Sequence, residues 1–176
     1  LNQQLYDFSK FKKEYKKSIN IGDIIENIAE ISVVNSGVKY EVSIPEDLWN
    51  VNINEGQIWQ VMSNLVINAV QSMSEGGIIR IEAENTVING KNPVPVEKGK
   101  YVKISIKDQG TGIPRIHLEK IFKPYFTTKN RGKGLGLFNS LAIIKDHKGY
   151  ITVESELNKG STFHVYLPAL NEVCDE

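Results

Sequence analysis

The stretch NEGQIWQVMSNLVINAVQSMS, residues 54–74, carries the longest helical pattern in the sequence. Ile58, Val61, Met62, Leu65, Val66, Ala69, Val70 and Met73 recur at the spacing that gives a helix one apolar face, and Gly76-Gly77 stops it. Asn64 and Asn68 stand four residues apart and share a side of that helix, beside the apolar stripe rather than opposite it. A helix built this way needs a layer to bury its stripe, and the segments on either side supply strands.

Upstream, residues 38–44 and then Trp49, Val51 and Ile53 alternate like strands around a turn at 45–47, which predicts a hairpin. Before them Ile24, Ile25, Ile28 and Ile31 mark a second helix with Asp23 as its expected N-cap. Residues 1–17 place Leu5 and Phe8 at helical spacing on a narrow seam, followed by a lysine-rich run read as a solvated helix end. Downstream, residues 79–87 and 101–107 read as strands joined by an exposed Gly/Asn/Pro-rich loop at 89–99. Residues 108–133 lack periodicity and are too long for an ordinary connection, which makes them a candidate functional loop. A helix over 134–148 and a hairpin of 151–155 with 162–167 complete the chain. No internal repeat or low-complexity segment appears.

Three groups of residues bear on chemistry. A carboxamide oxygen is a hard neutral ligand suited to Mg²⁺, an ion that keeps several waters and takes other oxygens from phosphates, so Asn64 and Asn68 are a candidate pair. By itself that pair fits turn caps or solvent-facing amides better. Asp108-Gln109-Gly110-Thr111-Gly112-Ile113-Pro114 follows a strand directly, placing a carboxylate at the strand end and two glycines where backbone can approach a ligand. Such a carboxylate, once buried, can accept from an exocyclic amine, and a tight turn with no ligand fits the string equally well. Gly132-Lys133-Gly134-Leu135-Gly136-Leu137 runs into a helix whose free N–H groups and dipole favour an anion such as triphosphate.

Charge points the same way. The 176 residues balance at 21 basic and 21 acidic, so no global field selects nucleic acid or an anionic membrane. Yet Arg115, Lys120, Lys123, Lys129, Arg131 and Lys133 gather in the glycine-flanked loop against Glu119 alone, leaving 15 basic and 20 acidic residues elsewhere. Phosphate attraction follows. The single cysteine, Cys174, excludes an internal disulfide, and a reducing cytoplasm is the expected compartment. No apolar run approaches the ~20 residues that span a bilayer, so direct membrane contact is not expected of this chain, whatever tethers a longer parent. His117, His147 and His164 share no metal-ligand spacing, and neither a P-loop nor a dinucleotide fingerprint is present.

In their order, these motifs resemble the histidine-kinase branch of the ATPase superfamily that also holds gyrase, heat-shock chaperones and mismatch-repair proteins. Asn64-Leu65-Val66-Ile67-Asn68-Ala69 is similar to the family's asparagine box, and residues 108–114 to its first glycine box. Ile121-Phe122-Lys123-Pro124-Tyr125-Phe126-Thr127-Thr128-Lys129 resembles the phenylalanine box as worded in nitrogen-regulation-type kinases, and residues 132–137 the second glycine box. The resemblance covers roughly 21–168. It implies a two-layer α/β sandwich of the Bergerat type, with a mixed, mostly antiparallel sheet of about five strands and three helices on one face. Asn68 would ligate Mg²⁺ with Asn64 supporting it, and Asp108 would bond the adenine amino group beside Gly110, Gly112 and Ile113. Phe122, Thr128, Lys129 and Lys133 would belong to a mobile ATP lid hinged by Gly132, Gly134 and Gly136, with Leu135 and Leu137 at the phosphates and Thr162 completing the adenine pocket.

The resemblance also divides the chain: residues 1–20 as the end of a dimerisation and phosphoacceptor helix with its linker, 21–170 as the ATP-binding catalytic domain, 171–176 as a polar tail. Hydrolysing members of the superfamily carry a glutamate, the base for water, four residues before the asparagine matching Asn68; here Asn64 stands there, and an amide accepts no proton. The implied reaction is γ-phosphoryl transfer from Mg·ATP to a histidine of the protein's own helical hairpin, in a homodimer, with a cognate response regulator as the onward partner. A serine-directed kinase of the anti-sigma type and a non-catalytic nucleotide sensor are the alternatives.

Overall fold

The computed structural model describes residues 15–91, 94–128 and 132–170. Residues 1–14 of the expected helix remnant and linker, the polar tail, Lys129 and Arg131 lie outside them, while Lys17–Ile19 at the end of that expected segment form a strand rather than a helix end. Within them the chain runs β1 (Lys17–Ile19), α1 (Gly22–Ser32), β2 (Val38–Ser43), β3 (Val51–Ile53), α2 (Glu55–Ser72), β4 (Gly77–Ile88), β5 (Gly99–Lys107), α3 (Arg115–Leu118), α4 (Gly136–Asp146), β6 (Tyr150–Glu156) and β7 (Gly160–Pro168).

A five-stranded sheet in the order β2-β4-β5-β7-β6 forms one layer. Its β2–β4 pair is parallel and the other pairs are antiparallel. Strand alternation sends Ile79, Ile81 and Ala83 of β4, Val102, Ile104 and Ile106 of β5, and Phe163, Val165 and Leu167 of β7 to one buried face. The apolar stripes of α1, α2 and α4 join those side chains in a single core that includes Ile25, Ile28, Ile58, Met62, Leu65 and Ile144. The expected two-layer sandwich with a mixed five-stranded sheet is what forms.

The neighbourhood of α2 departs from the sequence reading. Residues 38–43 and 51–53 are strands, but they do not pair as a hairpin. β2 runs parallel to β4, while β3 pairs antiparallel with β1. Asn85 of β4 explains the split: its Oδ1 accepts from the Trp49 N–H at 2.9 Å and its Nδ2 donates to the Asp47 carbonyl at 2.9 Å. The connecting turn is thereby drawn across the sheet instead of folding β3 back on β2. Asp23 lies in the first turn of α1 and does not cap it; the Asn20 side chain accepts from the Gly22 N–H instead. The β4–β5 connection is not simply exposed, since Val94 and Val96 pack on Ile88, Tyr101, Tyr150 and Tyr166 in a second small cluster.

The ends of α2 and α4 are tied together. Asn54 caps α2, its Oδ1 accepting from the Gln57 N–H, and its own N–H donates to Nε2 of buried His147 at 3.1 Å. His147 follows the last residue of α4, and its Nδ1 reaches the Ile143 carbonyl at 2.8 Å. One neutral imidazole, donating at Nδ1 and accepting at Nε2, therefore fixes where α4 sits against the start of α2.

Candidate nucleotide site

A cleft of about 1400 Å³ opens between α2, α4 and the loop that precedes α4. This exceeds the roughly 300–1,000 Å³ of ordinary small-molecule pockets, so an extended ligand has room. From α2, Asn64, Asn68 and Ser72 line it at successive intervals of four residues. Asn64 Nδ2 donates to Ser140 Oγ of α4 at 3.0 Å.

Asp108 stands where β5 ends and is only 3% exposed. Its Oδ1 accepts from the N–H groups of Gly110 at 2.8 Å and Ser161 at 3.2 Å. Burial pushes its carboxyl above the usual aspartate range, and the Gly110, Ser161 and Ser72 hydrogen bonds oppose that rise without cancelling it. The result is a fixed, poorly solvated acceptor at the floor of the cleft. Gly112 adopts φ 69°, and a side chain there would strike the Glu156 carbonyl, so glycine is required both by conformation and by space. Thr111 donates to the Ser72 carbonyl and accepts from Asn158, pinning the glycine turn between α2 and the β6–β7 connection.

The segment expected to form the lid contains one helical turn, α3, and is anchored by buried Ile121 and by Phe122, which meets Phe163 edge-on at 6.5 Å. Arg115, Lys120, Lys123 and Lys133 stay exposed. Gly134 has φ 67°, and a Cβ there would lie 2.5 Å from the Tyr125 backbone. The chain must pass this point without a side chain before α4 begins at Gly136.

Of the residues singled out in the sequence, Asn64, Asn68, Asp108, Gly112 and Ile113 line the cleft on one side. Thr128, Gly132, Lys133, Gly134, Leu135, Gly136 and Leu137 line it on the other. Gly110 and Phe122 do not line it: Gly110 is packed on Ser72, and Phe122 faces the core. Thr162 does not line it either. It pairs with Lys107 and Glu154 within the sheet, and the preceding Ser161 faces the cleft in its place. Lys129 lies outside the described residues. Sequence reasoning missed Ser72, although the interval from Asn64 through Asn68 continues to it, and Ser140, a lone hydroxyl inside an apolar helical run.

A paired-amide helix, a buried strand-end carboxylate and a glycine-hinged loop on a mixed α/β sandwich define an ATP-binding domain. Residues 53–171 match the family model of histidine kinase-, DNA gyrase B- and HSP90-like ATPases, and the chain belongs to that family. It is 36% identical over 179 residues to the sensor kinase CckA of Brucella abortus, covering 98% of this chain and 19% of that protein. With sporulation kinase C of Bacillus subtilis it shares 33% over 156 residues, 86% of this chain and 34% of that one. The catalytic domain of the histidine kinase ThkA, solved free of nucleotide, superposes with a TM-score of 0.72 at 29% identity, covering 89% of this chain and 97% of that one. The chain thus spans between 19% and 34% of the length of these two curated relatives. No helix among the described residues is long and apolar enough to cross a membrane.

Proposed function

We propose that the cleft holds Mg·ATP and that the domain donates the γ-phosphoryl group to a histidine on a helical hairpin of the same kinase, in the cytoplasm, for relay to a response regulator. The division at residues 20 and 170 into linker, catalytic domain and tail belongs to this reading. The observation that carries it is the pairing of Asp108 with Asn64 and Asn68 across one cleft. A buried carboxylate matches an adenine amino group, and the amides match a phosphate-held cation.

The donor set fits magnesium. No three His, Cys, Asp or Glu side chains gather into an all-protein metal cage among the described residues, whereas paired carboxamides beside a cleft of this size suit an ion that takes its other ligands from phosphate and water. Bound there, Mg²⁺ would neutralise charge on the phosphates as the γ-phosphoryl group departs. Asn68 would hold it with Asn64 beside it. Lys133 and the N–H groups at the start of α4 offer further positive character to the phosphates, and Lys129 is assigned the same task. Because Asn64 stands where hydrolysing relatives place a glutamate, the cleft supplies no side-chain base for water at that position, which favours an external nucleophile.

The test mixes this chain with γ-labelled ATP and a separate histidine-bearing hairpin domain from the full-length kinase. Label on the hairpin histidine is expected, falling about 10²-fold with Asn68→Ala as transition-state charge loses its support. Label on serine, or tight ATP binding with no transfer at all, would overturn the proposal.

A further inference from the structure

We infer that Ser140 is a positioning residue whose buried hydroxyl holds the Asn64 carboxamide with its oxygen, rather than its nitrogen, available to the cation side of the cleft. This rests on the proposed Mg·ATP reading and adds to it a determinant on the opposite helix. A carboxamide has two ends of similar shape and opposite polarity. A flipped amide would present N–H donors to a cation, and rotation about the last side-chain bond is soft, so something must choose between the two orientations.

One end of the amide makes that choice and the other locks it. Ser140, 2% exposed on the inner side of α4, accepts from Asn64 Nδ2 at 3.0 Å. At the other end of the amide, Oδ1 lies against Gly136, the first residue of α4, so closely that a Cβ added at Gly136 would sit 2.5 Å from it. The first turn of a helix has N–H groups without intrahelical acceptors, which favours an oxygen there and disfavours a second donor. A serine hydroxyl can donate as well as accept, so the first turn of α4 sets the polarity; with the oxygen there, the nitrogen is left for Ser140, whose bond holds the amide in place. Gly136 also has to be glycine for Asn64 to fit. Since α4 begins just after Gly132 to Gly134, the amide's orientation is set by the helix into which that glycine-rich segment leads.

The test uses the whole chain with two substitutions, Ser140→Ala and the nearly isosteric Ser140→Cys, whose sulfur is a weak acceptor. In the nucleotide-free protein, exchange and chemical shift of the Asn64 side-chain NH₂ are read by ¹⁵N NMR. ATP affinity is then measured by calorimetry with Mg²⁺ and with chelator. Both variants are expected to expose the Asn64 NH₂ to faster exchange and to shrink the Mg²⁺-dependent gain in ATP affinity about five- to tenfold, the magnitude of one lost hydrogen bond. Metal-free affinity should change less than twofold, and in an Asn64→Ala background Ser140→Ala should add nothing. A wild-type NH₂ exchange rate and an undiminished Mg²⁺-dependent gain in either folded variant overturn the inference. If Asn64→Ala alone leaves that gain intact, the paired-amide reading of the site falls instead, and the NH₂ exchange still decides the Ser140 bond.

Discussion

Asp108 shows how one carboxyl is prepared by opposing influences: burial raises its pKa, while N–H donors from Gly110 and Ser161 hold the ionised form in place. Asp108→Asn keeps the shape but turns a donor toward the adenine amino group, so nucleotide affinity is expected to fall at least about tenfold by calorimetry, as an unpaired polar contact costs roughly 1–3 kcal/mol. The pH dependence has a definite sign. The folded protein binds this proton more tightly than the unfolded chain, so affinity for adenine nucleotides weakens as pH falls through the raised value, which lies above the ~3.9 of an ordinary aspartate. Through the same window Asp108 makes the fold more stable as pH falls and less stable as it rises. Asp108→Asn should abolish this part of both profiles. At this scale the sequence was informative wherever a residue type met a spacing: amides four apart, a carboxylate closing a strand, glycines before a helix. It was uninformative where one residue of strand register decides direction. Ser161 and Thr162 differ only in which way the pleat turns them, and that depends on pairing across β7.

Helices were legible as elements because a single apolar face reports itself in the periodicity of one segment. Strand partners were not, because alternation names a face and says nothing of a neighbour; the Asn85 contacts that redirect the β2–β3 turn come from a strand nearly forty residues later. The contact between α2 and α4 is of the same long-range kind. His147 must be neutral at Nε2 to accept from Asn54, and burial lowers its pKa, with Lys16 adding to that while Ile143 and Asp146 oppose it. The folded state therefore binds this proton less readily than the unfolded chain. The contribution is complete above the ordinary histidine value near 6.5 and is lost as pH falls from there through the lowered folded value. His147→Gln should remove that acid-side decline in melting temperature. His147→Ala should destabilise by about 1–3 kcal/mol in denaturant melts by leaving the buried Asn54 N–H unpaired.

For the molecule as a whole, the two-layer sandwich, the strand number and the single-sided helix layer were readable in advance, while the small cluster of Val94, Val96, Tyr101 and Tyr166 on the sheet's other face was not. Val94 and Val96 sit in a Gly/Pro-rich stretch without period, and only packing across the outer face brings them to the strand tyrosines. A cleft assembled from α2, the β5 end, the lid and α4 also links ligand binding to global stability. At a hundredfold excess over Kd, Mg·ATP is expected to add about 2.7 kcal/mol, or roughly 5–11 °C in melting temperature for a domain of this size. ATP with chelator should give a smaller rise in thermal scans, and GTP almost none. The parallel pairing of β2 with β4 has a consequence for how the chain folds. Between these strands lie β3 and the whole of α2, so seating β2 at the sheet edge closes a loop that contains both. The helix bearing Asn64 and Asn68 is the bridge of that closure, so completing the sheet and placing those two amides depend on the same loop.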